Sequence, residues 1–413
     1  KSYKYVILGG GVVAGYAAKE FVEQNGNAGE LCIVSADDTL PYERPPLSKA
    51  YLAGEEEAKN ILINKEQFYT DHGIEVLLNT VVEEVDIHDR LLILQNGESI
   101  EYMFLLIATG STPRHLDLPG SLLDGIYYLR TFDDAHMIVA RCAEAKKAVI
   151  IGGSFIGMET AASLRKRGLE VSLVFPEKRV WSSFFTPEMS AFFEEYYRKQ
   201  GVTLVPGTSV AGFEGRDNRL SGVVLNTDEI LPADIVIAGV GVTPLIDIVE
   251  DSGLRINGGI ITDEYLATSA ENVYAAGDIA CYCDVIYNKH RRIEHWDNAV
   301  AQGQCAMRAM MGHIKPFVHV PYFFSDVFDL SYEFWGDTDG ADTIVHRGNT
   351  STSSFSVWWL KEHTLIAAFV MNRPDEERDK APQWIQNFRK LSADILGDAS
   401  RPLHEALIEN ESA

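Results

Sequence analysis

Residues 5–15 read YVILGGGVVAG, and residues 147–157 read KAVIIGGSFIG. Each is an apolar run suited to a buried parallel strand, broken by glycines and followed by a helical pattern. In the first, Gly9, Gly11 and Ala14 fall in the order G-x-G-x-x-A. Gly9 allows the tight turn, Gly11 lets the backbone approach a pyrophosphate, and Ala14 lets the helix pack on its strand with its N-terminus facing the phosphates. A second strand, ELCIV, ends shortly before Asp37, where an acid can hold a ribose hydroxyl. The later copy has Gly152, Ser154 and Gly157 in the order G-x-S-x-x-G, starting 143 residues after the first (152 − 9), and EVSLV precedes Glu177. A lone fingerprint of this kind is weak, but two complete strand–turn–helix–strand units predict two dinucleotide-binding domains. Ser154 stands where glycine is usual, so either a pyrophosphate sits farther from the backbone there or the hydroxyl donates to it.

The chain of 413 residues, 46% of them hydrophobic, has core for two or three domains. No apolar run reaches the ~18–20 residues that cross a bilayer, and KSYKYVIL enters a strand without a signal-peptide pattern. The expectation is a cytoplasmic protein with no membrane association, or an organellar one after removal of a transit peptide. A formal net charge of −24 opposes binding to nucleic acid or to an anionic membrane. The five cysteines are odd in number and scattered, which fits a reducing compartment. Cys281 and Cys283 form C-Y-C without a second pair, so no metal site is expected.

Two further segments look like pieces of a flavin site. LLIATGSTPR (105–114) and NVYAAGDIA (272–280) are short apolar strands that break at Gly110 and Gly277. The second delivers Asp278 just past a strand's carboxyl end, where ligands of open α/β sheets gather.

YVILGGGVVAG, LLIATGS, IIGGSFIG, GVGVTP (239–244) and VYAAGDIA, in that order, resemble the two-dinucleotide-binding-domain flavoproteins over nearly the whole chain. PYERPPLSKAYL (41–52), LRTFDDA (129–135) and RRIEHWDNAVAQG (291–303) resemble the branch of ferredoxin and rubredoxin reductases, monodehydroascorbate reductases and apoptosis-inducing factor. The resemblance implies an α/β fold of the glutathione-reductase type: two Rossmann-like domains plus a C-terminal α+β interface domain. It assigns residues 1–115 and 245–319 to an FAD-binding domain, 116–244 to an NAD(P)H-binding domain and 320–413 to the interface domain. FAD would be held around Gly9, Gly11, Ala14, Asp37, Arg44, Lys49, Thr109, Gly110, Arg130, Gly277, Asp278 and Trp296. The nicotinamide nucleotide would meet Gly152, Ser154, Gly157, Glu159, Glu177 and Gly241.

Disulfide reductases of this superfamily carry a redox cysteine pair early in the chain, but residues 38–60 contain no cysteine and PPLSKAYL occupies the place. The resemblance implies that Lys49 lies beside the flavin and pairs with Glu159, while Arg44 contacts the FAD pyrophosphate. A cation there stabilises reduced flavin, and Glu159 compensates it in the oxidised state. The flavin would then hand on electrons without a thiol; the plainer alternative is a salt bridge that only stiffens the fold. Trp296 resembles the residue that covers the flavin, against the alternative of a core tryptophan. Lys49, Glu159 and Trp296 are thus the candidate catalytic residues.

In VFPEKR (174–179), Phe175 takes the usual place of the ribose-binding acid and Glu177 follows, with Lys178 and Arg179 behind it. An acid favours NADH and bases favour NADPH, so NADH is expected with NADPH possible. Residues 320–371 alternate aromatic and polar residues like antiparallel strands, with helices after Pro374. The expected acceptor is a small iron–sulfur protein, as in ferredoxin or rubredoxin reductases. A monodehydroascorbate reductase, acting on a small molecule, is the alternative, and VFPE resembles the plant enzymes. Val300 and Phe324, however, stand where those enzymes have an arginine and a tyrosine. A redox sensor like apoptosis-inducing factor is the third reading. A monomer or homodimer is expected.

Overall fold

The computed structural model describes residues 1–408. It divides into two compact units, each assembled from three stretches of chain. Lys1–Arg44, Ala58–Thr112 and Val242–His319 make the first; Pro45–Glu57, Pro113–Gly241 and the chain from Val320 onward make the second.

The first unit is built on a sheet whose parallel core runs Glu75–Leu77, Leu31–Val34, Ser2–Leu8, Ser99–Ile107 and Val273–Ala275. Leu91–Leu94 and Val82–Asp86 extend it antiparallel from the start of Ser99–Ile107. The apolar run at the chain start is buried because both faces of its sheet are covered. On one face lies the helix Val12–Glu23, and beside it the helix Trp296–Met310 buries Ala299, Cys305, Ala306 and Met310 in the same core. Small side chains on Trp296–Met310 let the two helices approach closely, as the run DNAVAQGQCAM suggests.

The second unit repeats the scheme with a five-stranded parallel sheet: Val202–Pro206, Glu170–Phe175, Lys147–Ile151, Ile235–Ala238 and Ile126–Tyr127. The helix Phe155–Lys166 is its fingerprint helix. Thr131 and Asp134 form a reciprocal capping box that starts the helix Phe132–Cys142, each side chain accepting from the other's backbone N–H. The unit also contains an antiparallel sheet of Tyr322–Val327, Leu330–Gly336, Thr364–Met371, Ser354–Lys361 and Thr343–Asn349, with the helix Asp375–Gln386 after it. Aromatic rings bind that sheet to the nucleotide fold: Phe155 meets Phe323 edge-on at 4.6 Å between centroids, and Trp181, Phe185, Phe193, Tyr332 and Phe369 form one cluster. This packing brings the strand Tyr322–Val327 against the fingerprint helix.

The α/β class follows from the two fingerprints, since each opens a parallel sheet. Among the described residues no helix is long and apolar enough to cross a membrane.

Candidate functional site

In the first unit the strand Ser2–Leu8 ends at Gly9, whose φ is +123°. A Cβ there would lie 2.2 Å from the Ala108 carbonyl oxygen, so the turn admits only glycine. Ala14 is fully buried, as the packing of helix on strand requires. Gly11 is the N-cap of Val12–Glu23 and no side chain caps that helix. The space a Cβ would take at Gly11 is open, with the Arg44 guanidinium 3.8 Å away as its nearest neighbour. Uncapped backbone N–H groups and a guanidinium thus converge on one cradle at a positive helix end, which suits a pyrophosphate.

Around this cradle the other predicted residues are fixed by short contacts. Asp278 is buried; its carboxylate accepts from Ser111 Oγ at 2.6 Å and its carbonyl from Arg292 Nη1 at 2.9 Å. Gln302, reaching from the helix Trp296–Met310, accepts from the Gly277 N–H at 2.8 Å and holds the turn that carries Asp278. Thr109 donates its hydroxyl to the Leu245 carbonyl, and the Gly110 carbonyl accepts from the Leu245 N–H. Asp37 is half-buried, with its carboxylate engaged by the Thr39 N–H and the Tyr42 hydroxyl. Burial lowers His295 to about 4 against the opposing pull of Asp278 and Asp297, so the ring is neutral at pH 7.

Trp296 is half-buried at the start of its helix, and its indole N–H donates to Glu43. Tyr16, on the fingerprint helix, donates to the same carboxylate at 2.7 Å and meets the indole edge-on at 6.1 Å. The cost of desolvation, then the bond to Glu43, raises the Tyr16 hydroxyl well above its ordinary range. Glu43 is a site residue that sequence reasoning missed, although it lies inside the quoted PYERPP.

In the second unit, Gly152 has φ +115° and Gly157 lies so close beneath it that a Cβ would sit 1.8 Å from the Gly152 carbonyl oxygen. Ser154 is the exposed N-cap of Phe155–Lys166, and its hydroxyl makes no capping bond. Phe175 is fully buried, whereas Glu177 and Lys178 are exposed. Arg179 is turned inward: its guanidinium donates to Ser190 Oγ at 2.9 Å and to the carbonyls of Ser182 and Phe185. The Gly241 carbonyl accepts from the Arg114 N–H at 3.0 Å. Arg130 precedes the capping box, and its N–H donates to Asp134 at 3.0 Å. Arg130, like Lys49, lies in the second unit.

The second unit also holds Lys49. Pro45 and Pro46 open a one-turn helix, where their missing N–H groups and fixed φ do no harm. Ser163 ties this loop to the fingerprint helix, its hydroxyl donating to the Ser48 carbonyl at 2.7 Å. Lys49 Nζ then stands 3.5 Å from Glu159 Oε1, with both side chains about nine-tenths buried. Glu159 also accepts from the hydroxyls of Ser48 and Ser325, the latter at 2.6 Å. Three donors satisfy this carboxylate, which a buried charge requires. A groove of about 270 Å³ opens beside Lys49, walled by Pro45, Pro46, Phe324 and Phe328.

Comparison with known proteins adds the family. The model of the pyridine nucleotide-disulphide oxidoreductases matches residues 3–303, and that of the reductase C-terminal domain matches residues 322–407. A monodehydroascorbate reductase of Solanum lycopersicum is 37% identical over 400 residues, covering 91% of this chain and 92% of that protein. The seedling isozyme of Cucumis sativus is 39% identical over 401 residues, with the same coverage. Among solved structures, the ferredoxin reductase for the CYP199A2 system of Rhodopseudomonas palustris superposes with a TM-score of 0.92 at 32% identity, over 98% of this chain and 100% of that one. The reductase in the covalent putidaredoxin reductase–putidaredoxin complex gives 0.93 at 31% identity, over 98% of each.

Proposed function

The chain belongs to the pyridine nucleotide-disulphide oxidoreductase family, in the branch that holds the ferredoxin and monodehydroascorbate reductases, and from that premise we propose that it carries electrons from NADH to a small iron–sulfur protein. It is an FAD- and NAD(P)H-using oxidoreductase. FAD, when bound, accepts a hydride from the nicotinamide and can release the two electrons singly. In this reading residues 1–115 and 245–319 bind FAD, 116–244 bind NADH and 320–413 form the interface domain. The Gly11 cradle and Arg44 take the pyrophosphate, Asp278 the ribitol and Asp37 the ribose, while Trp296 covers the ring from its anchor on Glu43. Lys49 supplies positive charge to the ring and Glu159 balances it. Five unpaired cysteines fit a reducing compartment, the cytoplasm in this proposal.

The observation that carries the choice of acceptor is the chemistry at Val300 and Phe324. Val300 packs into the apolar core of the first unit, and Phe324 carries the Lys49 ammonium over its ring at 4.2 Å. Neither side chain can donate a hydrogen bond, so neither can grip a small oxyanion radical as an arginine or tyrosine would. A monodehydroascorbate reductase is the second reading, favoured by the 36–39% identity to plant enzymes of that name. The test is NADH oxidation with a small [2Fe–2S] protein, reported through cytochrome c, against oxidation with enzymatically generated monodehydroascorbate. A kcat/KM about a hundredfold higher for the protein acceptor is expected, about 2.7 kcal/mol of transition-state preference. The reverse order would establish the second reading.

The same enzyme should prefer NADH to NADPH. Glu177 would repel a 2′-phosphate, and with Arg179 held by Ser190, Ser182 and Phe185, Lys178 is the exposed base in that segment. A preference of about tenfold or more in kcat/KM is expected from ~1.4 kcal/mol of charge repulsion. Flavin reduction followed in a stopped-flow instrument with each nucleotide checks it, and Glu177→Ala should narrow the ratio. A parent that favours NADPH would show that the bases Lys178 and Arg179 outweigh Glu177.

A further inference from the structure

Three consecutive residues of the strand Tyr322–Val327 meet the Lys49–Glu159 pair. Side chains alternate between faces along a strand. Phe324 and Asp326 share one face: the Phe324 ring lies 4.2 Å from Lys49 Nζ, and Asp326 Oδ2 lies 3.7 Å from it. Ser325 points the other way, is fully buried, and donates to Glu159 at 2.6 Å. The ion pair therefore straddles the strand, its cation on one side and its anion on the other.

Counted as charges, this cluster is not neutral. One ammonium faces two carboxylates, so with Glu159 already matched to Lys49 the group carries one surplus negative charge from Asp326. Lys49 and Glu159 are 10% and 8% exposed and Asp326 53%, so the first two interact in a drier medium while water screens the third. A surplus negative charge opposes placing electrons on a neighbouring group. We propose that Asp326 is a redox-tuning residue, whose carboxylate offsets Lys49 and holds the flavin at a lower potential than the Lys49–Glu159 pair alone would set. Hydride uptake is then less favourable, and release of electrons to the acceptor more so. Asp326 acts through Lys49, which its carboxylate approaches to 3.7 Å. The assignment rests on the reading above that Lys49 charges the flavin ring.

The test is redox titration of the FAD-loaded parent, Asp326→Asn, Asp326→Glu and Lys49→Met, with flavin content and Tm measured on each. Asp326→Asn should favour the reduced form by about threefold to tenfold in the equilibrium constant, a rise of ~15–30 mV. Asp326→Glu should keep the parental potential. If Lys49→Met lowers the potential while Asp326→Asn leaves it unchanged, Asp326 is no tuning residue and the reading of Lys49 stands. If neither moves it, the reading of Lys49 fails and the assignment of Asp326 falls with it. A fall in Tm for Asp326→Asn without a change in potential would mark a purely structural role and overturn the proposal.

Discussion

Gly9→Ala is expected to fold yet purify with little or no FAD. At φ +123° the backbone is one that an L side chain rarely adopts, and the added methyl would meet the Ala108 carbonyl oxygen at 2.2 Å. Neither side of that collision is a flexible side chain, so the turn must open and the N–H groups that face the Gly11 cradle must move with it. Strain of this kind costs ~1–3 kcal/mol before the collision is counted. An affinity loss of about a hundredfold or more follows, at 1.4 kcal/mol per factor of ten. Gly29→Ala is the control: its φ is +82° and nothing lies within 4 Å of the new Cβ, so it should cost about 1 kcal/mol of stability and leave FAD in place. Flavin absorbance per chain, with far-ultraviolet circular dichroism to show folding, separates the two. A fully loaded Gly9→Ala protein would mean that the cofactor lies elsewhere.

Lys49→Met should keep the fold and the FAD but lower the flavin potential. Methionine fills a similar volume while removing the ammonium that lies 3.5 Å from Glu159. One charge-assisted contact contributes ~1–3 kcal/mol. For a two-electron couple that is a downward shift of ~20–65 mV, because ~30 mV corresponds to ~1.4 kcal/mol. Reduction by NADH should slow accordingly. Glu159→Gln should move the potential upward, since it keeps an acceptor oxygen for one of the two serine hydroxyls, Ser48 or Ser325, and leaves Lys49 with less counter-charge. Potentials unchanged in both variants would reduce the pair to a buried structural ion pair.

What could be read from the sequence is what local backbone geometry dictates. The turns at Gly9 and Gly152 depend on residues a few positions apart, so spacing alone reveals them, and both parallel sheets follow from the runs before those turns. Lys49 and Glu159 were matched through a whole-chain resemblance and not through any spacing rule. Their supporting contacts were not legible at all. Glu43 joins Trp296 across 253 residues of sequence, and Ser325 joins Glu159 across 166. No periodicity encodes such meetings; they depend on how aromatic packing seats one sheet against one helix. Arg179 illustrates the same point in reverse. Read as a base in VFPEKR it suits a phosphate, but three acceptors supplied by residues 182–190 turn it inward.

The sheet of the first unit also sets a schedule for synthesis. Leu105–Ile107 pair with Val273–Ala275, so that edge waits while the 168 residues from 108 to 275 are made (275 − 107). At ~5–20 residues per second the wait is roughly 10–30 s. Through that interval the growing polypeptide shows an unpaired, wholly apolar strand edge of the kind that recruits other chains. The second nucleotide fold is therefore synthesised before the sheet of the first unit can close over its Leu105–Ile107 edge.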